Sequence, residues 1–155
     1  MISIRRMTAE DISVSQALLS QLGYPLDAQE VQRRYDAVAV STDHTLMVAE
    51  EAGRVIALCH VYVRPALDKP PEAIVQALVV DQACRGNGVG KIMMAAAELW
   101  AAERGFSSVA LSSNISRNDA HAFYKALDYK WEATSHLFRR LWIDHRCSLW
   151  VRRRA

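Results

Sequence analysis

At 155 residues the chain is long enough for one domain with a substantial core and too short for two. A hydrophobic fraction of 51% with 23% charged residues excludes a disordered chain. A net charge of +2 supplies no basic field for nucleic acid, and Arg152, Arg153 and Arg154 at the C-terminus read as a solvated tail.

Ile2, Ile4 and Arg6 alternate with Ser3 and Arg5, which predicts a short first strand. Thr8 to Asp11 has capping-box spacing and opens a helix that runs to about Leu22 before Gly23 stops it. Tyr24-Pro25 is a turn, and Asp27 to Glu30 repeats the cap for a second helix with Val31, Tyr35 and Val38 on one face. Thr45 to Glu50 and Val55 to Arg64 are β-rich runs about Glu51-Ala52-Gly53-Arg54, a hairpin signal. After the loop from Pro65 to Pro71, Glu72 to Val80 is almost wholly apolar, the pattern of a strand covered on both faces.

That strand runs into Gly86, Gly88 and Gly90 and then into strong helix formers ending at Gly105. A strand that turns through glycines into a helix leaves N–H groups unpaired at the positive end of the helix dipole, which is a phosphate site. Arg85 and Lys91 flank it as cations. Walker spacing is missing because Gly90-Lys91 is followed by Ile92, and the dinucleotide fingerprint fails because the third glycine comes one residue too soon. Ser107 to Leu111 makes the next strand, parallel to its predecessor across the helix. Ser112 to Arg117 is a polar loop, Asn118 caps a last helix, and Tyr129 to Glu132 with Thr134 to Trp142 read as a terminal pair of strands.

Arg85-Gly86-Asn87-Gly88-Val89-Gly90 matches Gln/Arg-x-x-Gly-x-Gly/Ala, and on it the chain resembles the GNAT superfamily of acetyl-CoA-dependent N-acetyltransferases. Asn118 to Tyr129 is similar to the family's second signature, Asn-x-x-Ala-x-x-Phe-Tyr-x-x-x-Gly-Phe/Tyr, with Asp128 in place of the usual Gly. Asp tolerates the left-handed backbone that this position needs. The resemblance implies an α/β (α+β) GNAT fold, a mixed and mostly antiparallel sheet with two splayed central parallel strands flanked by about four helices. The GNAT domain spans 1–142, and 143–155 is an extension for which a dimer interface and a disordered tail stay open.

The resemblance also implies the site. Acetyl-CoA would lie along Leu78, Val79 and Val80, its diphosphate on Arg85, Gly86, Asn87, Gly88, Val89, Gly90 and Lys91, with Asn114, Asn118 and Tyr124 beside it. Backbone N–H groups near Val80 would polarise the thioester carbonyl, and Tyr124 matches the family's general acid. Tyr24, Asp27 and Tyr35 belong to the helical pair that covers the acceptor side in this fold, against the plainer readings of Tyr35 as core and Asp27 as a cap. Gln76 stands where many members place a basic Glu. Glu72, four residues earlier, is the replacement candidate, with a water chain or His60, His121 and His136 as alternatives.

The implied activity is acetyl transfer to a primary amine, with a small molecule as the leading acceptor and a protein N-terminus or lysine as the alternative. A non-catalytic acyl-CoA-binding module is the alternative from another class. Cys59, Cys84 and Cys147 form no Cys-x-x-Cys pair and the five histidines no His-x-x-x-His pattern, so no disulfide framework and no metal are expected. No run approaches membrane-spanning length and no signal-peptide core follows Met1, so a cytoplasmic protein with no membrane or nucleic-acid partner is expected.

Overall fold

The computed structural model describes residues 1–140. The chain divides into two compact units, Met1–His121 and Ala122–Ala155. The first holds one sheet whose strands lie in chain order, β1 (Ile2–Arg6), β2 (His44–Glu51), β3 (Arg54–Arg64), β4 (Glu72–Val80) and β5 (Val109–Leu111). The first three pairings are antiparallel and β4 with β5 is parallel. The helices are α1 (Ile12–Leu22), α2 (Ala28–Ala39), α3 (Val89–Ala102) and α4 (Asn118–Ala126), the last reaching into the second unit. The expected mixed sheet with four helices is what forms.

Local chemistry accounts for the boundaries. The β2–β3 hairpin turns on Ala52 (φ 50°) and Gly53 (φ 75°), two left-handed residues whose twist suits an antiparallel ribbon. Asp27 caps α2 by accepting from the Glu30 N–H at 2.7 Å. Gly23 ends α1 in the left-handed conformation (φ 101°). Asp128 takes φ 65°, so the residue that replaces the usual glycine adopts the backbone expected of it.

Strand alternation splits the core in two. Val48, Leu58 and Val79 point to the face where Ile12, Leu18 and Val31 of α1 and α2 complete one apolar cluster. Met47 and Cys59 point to the other face, and α3, whose Met93, Met94 and Ala97 are fully buried, packs on β3 and β4. At about 25 cal/mol per Å², burying residues of this size contributes roughly 1.5–3 kcal/mol each.

Two expectations are corrected. Tyr129 to Arg140 contains no strand among the described residues, and Trp142 lies outside them. Trp131, Leu137 and Phe138 are exposed, and a strand pair without a buried face lacks the burial that stabilises it. Asn118 is the first residue of α4 rather than its cap: the first helical hydrogen bond runs from the His121 N–H to Arg117 O (3.0 Å), which gives Arg117 the cap position. The extension 143–155 also lies outside the described residues.

One buried charge ties β1 to the start of α1. Asp11, 5% exposed, accepts from Arg5 Nη1 and Nη2 at 2.8 and 2.9 Å and from the Thr8 N–H at 2.8 Å. Its hydrogen bonds from Arg5, then from Thr8, hold its carboxyl below the ordinary 3.8 against the opposing effect of burial. A lowered folded value means that the contribution is complete above pH 3.8 and is lost as the pH falls through the folded value. Asp11→Ala is therefore expected to destabilise the fold by about 2 kcal/mol at pH 7. Urea denaturation should show that deficit shrinking below the ordinary carboxyl range.

Candidate functional site

β4 changes partner midway. His60 pairs with Ala77 and Val61 with Val75, so Gln76 is an extra residue, a bulge whose side chain is exposed after the buried Val75. The parallel ladder to β5 covers Ala73, Ile74 and Val75 and stops there. Beyond the bulge, that edge of β4 has no partner strand among the described residues.

Antiparallel alternation decides which groups face the notch. Asp81 donates its N–H to Ile56 O at 2.8 Å, which makes Ala57 and Val80 a non-hydrogen-bonded pair. Cys59 with Leu78 is the next such pair, so the N–H and C=O of both Leu78 and Val80 point away from β3, toward the side β5 has left. Val79 does the reverse: its backbone bonds β3 and its side chain is buried in the core. Val80 O accepts from Arg85 Nε at 3.1 Å, which anchors the arginine at the strand end with its other donors available to an anion.

The turn follows directly. Asp81 Oδ1 accepts from the Ala83 N–H at 3.0 Å and a 3₁₀ turn carries Gln82–Cys84. Gly86 (φ 80°) and Gly88 (φ 79°) are both left-handed, and a Cβ on either would meet nothing within 4 Å. Backbone conformation, not crowding, therefore demands glycine, and the surface above the turn is open. The first helical bond of α3 is Ile92 N–H to Gly88 O at 3.1 Å, and no side chain caps the helix. The N–H groups of Val89, Gly90 and Lys91 thus lack intrahelical acceptors at the positive helix end, with Arg85 and Lys91 exposed beside them. The single acid of the segment, Asp81, is paired with Arg54 at 3.5 Å. Exposed donors, two cations and a compensated acid fit a diphosphate.

The remaining candidates separate. Glu72 is ion-paired with Arg64 and with Lys69 (3.3 Å), which lowers its carboxyl. It also stands at the far end of β4, about 26 Å from Val80 at the usual strand rise. Glu72 therefore sits in an ion-pair network at the end of β4 away from Val80. Tyr35 packs against the α1/α2 cluster and its hydroxyl donates to Met7 O at 3.5 Å, Asp27 is a cap, and Tyr24 is exposed after Gly23. Asn114 Oδ1 accepts from the Ser116 N–H and hydroxyl at 3.0 and 2.9 Å, which shapes the loop before α4. In the second unit Tyr124 is half-buried, its ring 5.2 Å from Phe123 and 6.0 Å from Tyr129. His121 lies on α4, and His136 packs near Phe138 at 6.5 Å.

His60, an alternative base from the sequence, has a partner that its position alone does not reveal. His60 Nε2 lies 2.9 Å from His44 Nδ1, and Tyr62 stacks on His44 at 5.2 Å. The residues are 16 apart in the chain, so only the hairpin register brings them together.

A glycine turn at a helix N-terminus, fed by a strand whose outer edge is unpaired beyond a bulge, defines a protein that holds a phosphate-bearing carrier along a strand. Comparison with known proteins gives the class its name. Residues 12–129 match the acetyltransferase (GNAT) family, and the chain belongs to it. It is 31% identical over 125 residues to the uncharacterized N-acetyltransferase YhdJ of Bacillus subtilis, covering 80% of this chain and 88% of that protein. It is 30% identical over 129 residues to the aminoalkylphosphonate N-acetyltransferase of Salmonella typhimurium, covering 82% and 84%. Aminoglycoside N-acetyltransferase AAC(6')-Iy, solved with CoA, has the same fold at 17% identity, with a TM-score of 0.82 and coverage of 90% of this chain and 95% of that one. The protein is an acetyl-CoA-dependent N-acetyltransferase.

Two substitutions check the site. Gly88→Ala is expected to cost roughly 1–2 kcal/mol of stability from left-handed strain and to weaken CoA binding in calorimetry. Glu72→Gln should leave turnover within about twofold of wild type, since it removes a surface ion pair and no proton acceptor.

Proposed function

We propose that this enzyme moves the acetyl group of acetyl-CoA to a primary amine of a small molecule by direct attack in a ternary complex. The observation that carries the reading is the continuity of two features, the exposed turn from Arg85 to Lys91 and the unpaired edge of β4 that adjoins it. The turn takes the diphosphate, and the outward groups of Val80 and then Leu78 take the amides of an extended arm running toward Gln76. Acetyl-CoA supplies an activated acyl carbon as a thioester. The chain supplies donors that favour a negative carbonyl oxygen, and Leu78 N–H is the outward donor nearer the bulge.

Direct attack is favoured over an acetyl-cysteine route. Cys59 pairs with Leu78, but it is wholly buried and burial pushes its thiol up to about 12. A thiol held protonated in the core is not a nucleophile. A small-molecule acceptor is supported by the aminoalkylphosphonate N-acetyltransferase, a relative whose name specifies a small amine. The second signature supports Tyr124 as the hydroxyl that hydrogen-bonds the departing sulfur.

The reading is tested by thiol release from acetyl-CoA across a panel of aminoalkylphosphonates, aminoglycosides, polyamines and lysine peptides. Release with small amines supports it, release with peptides alone transfers the activity to protein acceptors, and acetyl-CoA binding without release would leave a binding module. On the best acceptor Tyr124→Phe should lower kcat about tenfold or more with little change in acetyl-CoA affinity.

A further inference from the structure

The bulge has a polar neighbour that the activity has not yet used. His60 on β3 pairs with Ala77, the residue after Gln76, and with Leu46 across the β2 ladder. Leu58, two residues earlier on β3, and Val79, two residues after Ala77, both lie in the α1/α2 cluster. Alternation therefore puts the His60 side chain on the α1/α2 face of the sheet, beside the point where β4 and β5 part. His44 and Tyr62, themselves cross-strand partners, occupy the same face one pair farther along.

Proton acceptors at this place are few. Gln76 is an amide, and Glu72 is held by Arg64 and Lys69 farther down the strand. His44 on β2 is hydrogen-bonded to His60 and Tyr62 of its own strand lies beside it, while its strand partners Leu46 and Ala77 carry no charge. In the 2.9 Å contact one imidazole nitrogen donates and the other accepts, so at least one ring is neutral. Burial, and then the charge of His44, lower His60 to about 4, so its ring is neutral at physiological pH.

We propose that His60 takes the proton of the attacking amine and that His44, hydrogen-bonded to it, positions its ring and passes the proton to solvent. The proposal rests on the acetyl-transfer reading given above. An amine that arrives as an ammonium first gives one proton to His60, which relays it through His44 to solvent; the neutral nitrogen then bonds to the acyl carbon as the carbon–sulfur bond breaks, and sheds its second proton to solvent. The thiolate gains one from a donor or solvent, so charge balances. His60 touches the reacting nitrogen and is catalytic in this scheme; His44 acts through it.

The test measures kcat for wild type, His60→Gln and His44→Gln from pH 6 to 10 on an amine that wild type acetylates, with acetyl-CoA affinity measured by calorimetry. His60→Gln is expected to lose about a hundredfold in kcat at pH 7 and His44→Gln about tenfold, with acetyl-CoA affinity unchanged. Both deficits should narrow as the pH approaches the amine's own pKa, where the nucleophile arrives deprotonated and needs no base. A structural defect would not narrow in that way. Wild-type turnover in His60→Gln, or a deficit of equal size at every pH, overturns the proposal while leaving acetyl transfer intact. If His60→Gln fails to fold, His44→Gln decides alone, and an unchanged pH profile there overturns it. Absence of wild-type thiol release with every amine would instead defeat the acetyl-transfer reading itself.

Discussion

The structure depends on a single residue of mismatch between β3 and β4. Because Gln76 has no counterpart on β3, β4 bends at that point and its parallel ladder to β5 ends at Val75. A regular β4 would pair along its length, and the outward N–H and C=O groups of Leu78 and Val80 would be satisfied by a neighbouring strand. The bulge leaves them facing a notch. Arg85 Nε satisfies the carbonyl of Val80, and the remaining outward groups have no partner strand among the described residues.

The two faces of the sheet have different tasks. On the α3 side, small and flexible residues pack without gaps: Ala57, Cys59, Met93 and Ala97 are fully buried. That packing fixes the helix whose N-terminus presents the turn, so the donors of Val89, Gly90 and Lys91 stay aimed. On the α1/α2 side the apolar cluster gives way, past Leu46 and Leu58, to His44, His60 and Tyr62. One face of the sheet is thus closely packed and the other ends in a polar cluster.

What was legible in the sequence was local. The Ala52-Gly53 turn, the Asp27 cap, the left-handed Asp128 and the glycine turn at the α3 N-terminus all depend on residues within a few positions of one another, and each formed as expected. What was not legible is a property of two strands at once. Nothing within β4 announces that Gln76 is the unmatched residue, since a register exists only against β3. The partners of Glu72 and His60 were hidden for the same reason. Arg64 meets Glu72 across the loop from Pro65 to Pro71, and His44 meets His60 across the hairpin, so the first carboxylate is committed and the second imidazole is paired. The predicted strands after Tyr129 had β-like composition, but composition does not supply a surface to cover.

The C-terminal end of α1 shows how the two sides are coordinated. Gln21 Oε1 accepts from the Gln82 N–H at 2.8 Å, which ties the helix to the turn that follows β4. One residue on, Leu22 O accepts from Arg117 Nη2 at 2.9 Å, a cation at the negative end of the α1 dipole. Arg117 at the same time offers its backbone carbonyl to start α4. The end of the acceptor-side helix is therefore fixed to two segments of the first unit, one that carries the phosphate donors and one that opens the helix of the second signature. Displacing the turn after β4 would strain α1 through Gln21, and displacing α1 would disturb the start of α4 through Arg117. Two side-chain hydrogen bonds thereby join three elements that the chain order keeps apart, and they do so at the end of α1 next to the exposed Tyr24.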